Sequence, residues 1–326
     1  MIVLLSIVAA VIPAGLYIGI IYWFDHYEKE PAWLLMATFL WGAVPSIILA
    51  LVFNLLGALP FYLVGGEGLA DAAGVVLVAP VVEETIKALA LLGMFLLYRQ
   101  EIDSLLDGII YGAMVGMGFA IVENVLYFVE AFNSGGFGEW GALVFLRAIL
   151  FGLNHSLFTA MTGLGFALAR HARPRWVRFV AIPAGWLTAI FLHFTHNLVS
   201  SFPGVLCLIL PLTDWGGVLL LLVIVVWSLT QEKRWISQYL AEEVGWGTLT
   251  ARQYERAQSS WLRSRHRFKA LVDYGPGRFM KTRRFYHLCS ELAYKKRHFA
   301  QLQDHKSEQL THELRRQLAD LSRQIG

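Results

Sequence analysis

The stretch Ala79-Pro-Val-Val-Glu-Glu-Thr-Ile-Lys-Ala-Leu-Ala-Leu-Leu-Gly-Met-Phe-Leu-Leu-Tyr98 sets two adjacent carboxylates and a lysine inside an apolar run that reaches from Gly74 to Tyr98. A run of that length crosses the hydrocarbon core of a bilayer, which takes about 20 helical residues. An ionisable side chain at the centre of such a helix costs about 2.5 to 3.5 kcal/mol even on the lenient insertion scale. Glu83, Glu84 and Lys87 are therefore expected to face a protein interior that uses them.

Six more apolar runs flank this one, over about Ile2 to Phe24, Trp33 to Leu56, Ile109 to Ala131, Ala142 to Ala169, Phe179 to Val199 and Val205 to Leu229. Pro211, Asp214 and Gly216-Gly217 interrupt the last, whose membrane part is expected to start near Trp215. With 56% hydrophobic residues and a mean hydropathy of +0.54, the 326-residue chain is too apolar for two soluble domains. The expected fold is an all-α, polytopic transmembrane helix bundle of about seven spans with a helical, basic cytoplasmic C-terminal tail. The expected division is a membrane core over 1–230 and a soluble tail over 231–326. No basic segment precedes the first run and Pro13 breaks its middle, so a retained span is expected there, not a cleaved signal peptide.

Charge sets the orientation. From Gln231 onward there are 19 Lys and Arg against 10 Asp and Glu, whereas the preceding part has 8 against 14. Lys29, Arg99 and the group Arg170, Arg173, Arg175 and Arg178 fall in alternate loops, and the intervening loops carry no Lys or Arg. The positive-inside rule then puts the amino terminus outside and the tail in the cytoplasm. Cys207 and Cys289 fall on opposite faces in this topology, so no disulfide is expected. Basic and aromatic residues interleave between Trp261 and Arg297, and attraction to anionic lipid is expected over nucleic acid, for which no motif is present. Leu310, Leu314, Leu318, Leu321 and Ile325 form one stripe of an amphipathic helix.

Further ionisable groups lie inside the spans: Glu123-Asn124 after Phe119, then His155, then His193, His196 and Asn197 on one broad helix face. At about 1.5 Å rise per residue, Glu83, Glu84, Glu123 and His193 all fall about 10 to 15 Å below the outer face, with His155 near 20 Å. Each group has an ordinary structural reading as well. Lys87 can pair with Glu83 at i,i+4 or with Glu84 at i,i+3, a lone buried Glu can be protonated, and His155 beside Asn154 and Ser156 can be a neutral core residue. One lysine cannot neutralise two carboxylates, however, and that leaves a group suited to proton transfer. Residue type does not choose between Glu83 and Glu84. Arg147 has Glu139, Glu130 or a substrate as alternative partners, and Asp103 and Asp107 suit a helix amino terminus. Gly112, Gly116 and Gly118 make a small-residue stripe for helix packing.

The ordered set Glu83-Glu84-x-x-Lys87, Phe119-x-x-x-Glu123-Asn124, His155 and His193-x-x-His196-Asn197, spread over roughly Trp33 to Leu229, resembles the PrsW family of intramembrane proteases. That group is related to the CAAX prenyl endopeptidases and Abi proteins. Lys87 comes one residue earlier than the Arg of those relatives, and Glu123 stands where they have His, which favours PrsW. The resemblance implies cleavage of a membrane-anchored protein, an anti-sigma factor being the best-known target type, near the extracytoplasmic side of a bacterial cell membrane. It also implies one of two mechanisms. In one, His155, His193 and a carboxylate such as Glu123 hold zinc while Glu83 or Glu84 takes a proton from water. In the other no metal is used, a Glu and a His activate water, and His193 with Asn197 stabilises the oxyanion. An ion- or proton-coupled transporter and a non-catalytic scaffold are the alternatives; the absence of an internal repeat weighs against the first. The sequence gives no oligomeric state.

Overall fold

A computed structural model describes residues 1–27, 29–202, 209–302 and 305–325. Every regular element among them is helical, and five continuous helical runs are long and apolar enough to cross a membrane. The chain forms two compact units, Met1–Phe24 with Glu30–Val225 and Asp25–Lys29 with Val226–Gly326.

The first unit is inside out by the standard of a soluble protein. Leu55 and Leu63 are 75% exposed while Glu84 and Lys87 are 0% exposed, the arrangement a lipid solvent selects. Helix α1 (Ile2–Phe24) buries only Ser6, Ala10 and Ala14, a stripe at every fourth residue, and it continues through Pro13 where a break is expected from the sequence. Proline is tolerated in membrane helices because neighbouring groups satisfy the freed carbonyl.

The second and third apolar runs together form a hairpin. Helices α2 (Ala32–Trp41) and α3 (Ile47–Ala73) join through a π-turn over Gly42–Ser46 that contains Pro45, and α4 (Ala79–Leu97) follows a second π-turn over Gly74–Val78. Within α3 the backbone at Gly66 has φ 74°, a value that favours glycine. The chain folds back there, so that Asn54 meets Glu83.

Helix α5 (Leu105–Val144) turns back in the same way at Gly136, with φ 68°. The Gly-rich stretch Asn133–Gly138 thus holds a single glycine step between helices. Residues equally distant from that step face each other: Asn124 bonds Arg147, and Cβ atoms added at Gly112 and Gly116 would collide with the backbone of Thr159 and His155. Gly118 points the other way, at Phe39, so the expected stripe serves two helix contacts. The start of α5 is fixed by a capping box in which Ser104 Oγ accepts from Leu106 and Asp107 N–H and the Asp107 carboxylate accepts from Ser104 N–H at 2.7 Å.

The fifth apolar run, expected to be one unbroken span, is interrupted. A π-turn over Phe145–Leu150 ends at Phe151, and α6 (Asn154–His171) starts three residues later, which puts His155 in its first turn. Helix α7 (Arg175–Ser200) follows, then α8 (Leu210–Gly245), which starts ahead of the expected Trp215 because Pro211 falls in its first turn, where a missing N–H costs nothing. Cys207 and the start of the seventh run lie outside the described residues.

The second unit has its own core. Ile236 and Leu240 of α8, Phe285 and Leu292 of α11 (Pro276–Leu302) and Leu318 of α12 (His305–Ile325) are all 0% exposed in one cluster. Leu314 and Ile325 join it and Leu310 and Leu321 pack at its edge, so the leucine stripe faces inward. Helices α9 (Ala251–Ala257) and α10 (Ser260–Tyr274) complete the unit. Buried Arg263 of α10 donates to the Tyr27 carbonyl at 3.0 Å and to Ser290 Oγ at 2.8 Å, and Ser290 Oγ donates to the Tyr27 carbonyl at 2.7 Å.

Candidate active site

Four helices of the first unit bring their polar groups together. On α4, Glu84 is saturated: its Oε1 accepts from Lys87 Nζ at 2.9 Å and lies 3.1 Å from His193 Nδ1, and its Oε2 accepts from Thr159 Oγ1 at 2.9 Å. Glu83 is not. Its Oε1 takes a long bond from Asn54 at 3.4 Å, while its buried Oε2 has no hydrogen bond, with Lys87 Nζ at 3.5 Å and His193 Nε2 at 4.0 Å. Lys87 is the resident cation of the pair; its ammonium also lies 3.1 Å from His155 Nδ1 and 3.7 Å above the centre of the Phe119 ring.

From α5, Glu123 Oε2 bonds His155 Nε2 at 2.9 Å and pairs with the Arg147 guanidinium, while Asn124 Oδ1 accepts from Arg147 Nε at 2.9 Å. Arg147 therefore belongs to the site, not to Glu130 or Glu139, because the Gly136 hairpin sets it opposite Glu123 and Asn124. The His155 and His193 rings lie 5.2 Å apart, and Phe158 stacks on His193 at 5.1 Å.

Asn197 turns away and donates to the Val75 carbonyl at 2.9 Å. His196 belongs to a second cluster that sequence reading did not assemble. Its Nδ1 is 2.7 Å from Asp214 Oδ2, and Asn154 Nδ2 donates to the same oxygen at 3.0 Å. Asp214 is 4% exposed, and the Phe158 ring touches both His193 and His196.

Ligand atoms of Glu83, His155 and His193 all lie within 4.8 Å of one another, the one such group among the described residues. The donor set can hold a metal once Lys87 turns aside: one carboxylate oxygen without a hydrogen bond, His193 oriented through Nδ1 by Glu84, and His155 oriented through Nε2 by Glu123, with the Lys87 ammonium now 3.1 Å from its Nδ1. Glu83 takes the place in this group that the sequence resemblance gives to Glu123.

An apolar helix bundle that encloses such a Glu/His centre defines a membrane-embedded enzyme. The chain matches the family model described as PrsW family intramembrane metalloprotease over residues 30–230, which include every residue of the centre, and it belongs to that family. It is 29% identical to Protease PrsW of Geobacillus kaustophilus over 221 residues, covering 67% of this chain and 86% of that protein. Protease PrsW of Bacillus subtilis is 28% identical over 231 residues, covering 67% and 91%. That of Clostridioides difficile is 39% identical over 111 residues, covering 33% and 44%. No solved structure matches.

Proposed function

We propose that the Glu83, Glu84, Glu123, His155 and His193 centre hydrolyses a peptide bond of a membrane-anchored protein near the extracytoplasmic side of a bacterial inner membrane. An anti-sigma factor is the substrate type, and release of its partner begins a stress response. The amino terminus lies outside and the 231–326 tail in the cytoplasm, a reading supported by the alternation of basic loops. The observation that carries the function is the Glu83 Oε2 atom, buried and without a hydrogen bond beside two histidines.

Glu83, His155 and His193 would hold zinc, since two histidines and one glutamate are a common catalytic set. Such an ion supplies Lewis-acid polarisation of the scissile carbonyl and lowers the pKa of water. Glu84 holds His193 through Nδ1 and so directs Nε2 toward Glu83. Glu123, fixed by Arg147, holds His155 through Nε2, which turns Nδ1 toward Lys87, and that ammonium would move aside for an ion. Asp214 fixes Nδ1 of His196 and leaves Nε2 for proton transfer, one ring away from the centre. The same open oxygen supports a metal-free reading in which Glu83 Oε2 takes the proton of the attacking water directly.

Co-expression with single-span membrane proteins tests the function. Wild type is expected to cleave one of them, and Glu83→Gln, Glu123→Gln, His155→Ala and His193→Ala at matched protein levels are expected not to. Zinc lost from the purified Glu83 and His variants supports the metal reading, and a metal-free active wild type supports the other. Unchanged processing across the series sinks the protease assignment to this centre.

A further inference from the structure

Helix α10 carries a face that its own unit leaves uncovered. Trp261 is 64%, Phe268 67% and Val272 65% exposed. At about 100° per residue these three fall within about 40° of one another on the helix. The opposite face supplies Arg263 and Ala270 to the interior of the unit. Tyr274, 71% exposed, and Met280, 55% exposed, extend the apolar surface into α11.

The surround of this face is cationic. Between Trp261 and Arg284 the chain has eight Lys and Arg against one acidic residue, Asp273. Arg265 and Lys269 are exposed on the shoulder of the stripe, and the Arg265 guanidinium lies 5.4 Å from the Trp261 ring. Lys281, Arg283 and Arg284 are exposed on the next helix. Aromatic and aliphatic residues in the middle with basic residues at the edge are the pattern of a helix that lies in the headgroup layer of a membrane.

Chain connectivity supplies the second argument. Arg263 donates to the carbonyl of Tyr27, which is three residues along the chain from Phe24, the end of a membrane-crossing helix. Three extended residues span at most about 11 Å. The main chain thus limits how far Tyr27, the residue that Arg263 holds, can lie from the end of a helix long and apolar enough to cross a membrane.

We infer that the exposed Trp261, Phe268 and Val272 face of α10, with Arg265 and Lys269 beside it, is a docking surface for the anionic phospholipid headgroup layer of the membrane that holds the protein. The partner is a lipid surface with negative charge. The basic rim attracts it, at about fivefold in affinity per Lys or Arg, and the aromatic stripe enters it. The tail is then held flat against the membrane surface.

The test uses the full-length chain in nanodiscs. Cys289 is 0% exposed and burial pushes its thiol up to about 12, so in a Cys207→Ser background a cysteine at position 268 is the one that labels. A fluorophore sensitive to polarity on Phe268→Cys is expected to shift to the blue, and to be quenched by nitroxides on lipid chains, in phosphatidylcholine mixed with phosphatidylglycerol. Neither is expected in phosphatidylcholine alone. High salt, or Arg265→Glu with Lys269→Glu, is expected to reduce the quenching several-fold. A second reporter at Val272→Cys, which keeps Trp261 and Phe268, must agree. Equal signals in the two lipids, or no quenching in either, overturn the inference. So does a shift that rises with protein concentration and ignores lipid, which would assign the face to a second copy of the chain.

Discussion

Glu83 and Glu84 are adjacent in sequence and opposite in surroundings, and that difference separates stability from chemistry. Glu84 balances Lys87 and binds His193 and Thr159, so Glu84→Gln is expected to cost about 3 to 5 kcal/mol, as when a buried ion pair loses one partner. Glu83→Gln removes an oxygen that has no hydrogen bond and is expected to cost about 1 kcal/mol while abolishing cleavage. Thermal unfolding in detergent beside the cleavage assay checks both, and equal melting of the two variants would remove the distinction. Asp214→Asn is expected to lower cleavage about 10- to 100-fold, the usual effect of losing a carboxylate that orients a histidine, with unchanged unfolding temperature. The charged residues of α4, α5, α6 and α7 were legible because a bilayer makes them expensive. Asp214 was not: beside Pro211 and Gly216-Gly217 it reads as a frayed span end. Its partner His196 is reached only once α7 and α8 are packed. Nor does spacing fix the choice of Glu83 over Glu123 for the triad, which depends on where each carboxylate points.

Among the elements, the junction of α5 and α6 matters most to the site. Gly116 allows the α5 backbone to lie against the His155 carbonyl, at the first turn of α6. Gly116→Leu is therefore expected to push His155 off Glu123 and Lys87, lowering metal content and cleavage together, whereas Gly15→Leu in α1, where an added Cβ meets nothing within 4 Å, should leave both unchanged. Metal analysis and the cleavage assay on the two variants decide this. Apolar periodicity located these helices and the turn near Gly136, since span length is set by the bilayer. It did not reveal the break at 151–153, because Phe151, Gly152 and Leu153 are as apolar as their neighbours. The irregular backbone there lies where α6 must start for His155 to join the centre.

At the scale of the whole molecule, the second unit has an acid response of its own. In the second unit burial would raise the Glu243 pKa, but hydrogen bonds and charge from Arg315 and Lys296 outweigh it and hold the carboxyl below its usual range. A lowered carboxylate pKa gives stability that is present above the unfolded value of about 4.3 and is lost as pH falls through the folded value. The second unit is therefore expected to keep its unfolding temperature down to about pH 5 and to lose it in stronger acid, and Glu243→Gln is expected to flatten that dependence. Hydrogen exchange of α11 and α12 amides in the full chain reads it. The basic character and leucine stripe of this region were legible from composition. The inclusion of Asp25–Lys29 was not, because nothing local in that segment points to a partner more than 200 residues away. That clasp has a consequence for biogenesis. Ser290 and Tyr27 are 263 positions apart, so the early segment leaves the ribosome long before the helices that receive it exist. The second unit cannot close until synthesis is nearly complete, and until then the Tyr27 carbonyl lacks its Arg263 and Ser290 donors. A chain cut short before Ser290 would insert its spans yet never fasten that loop.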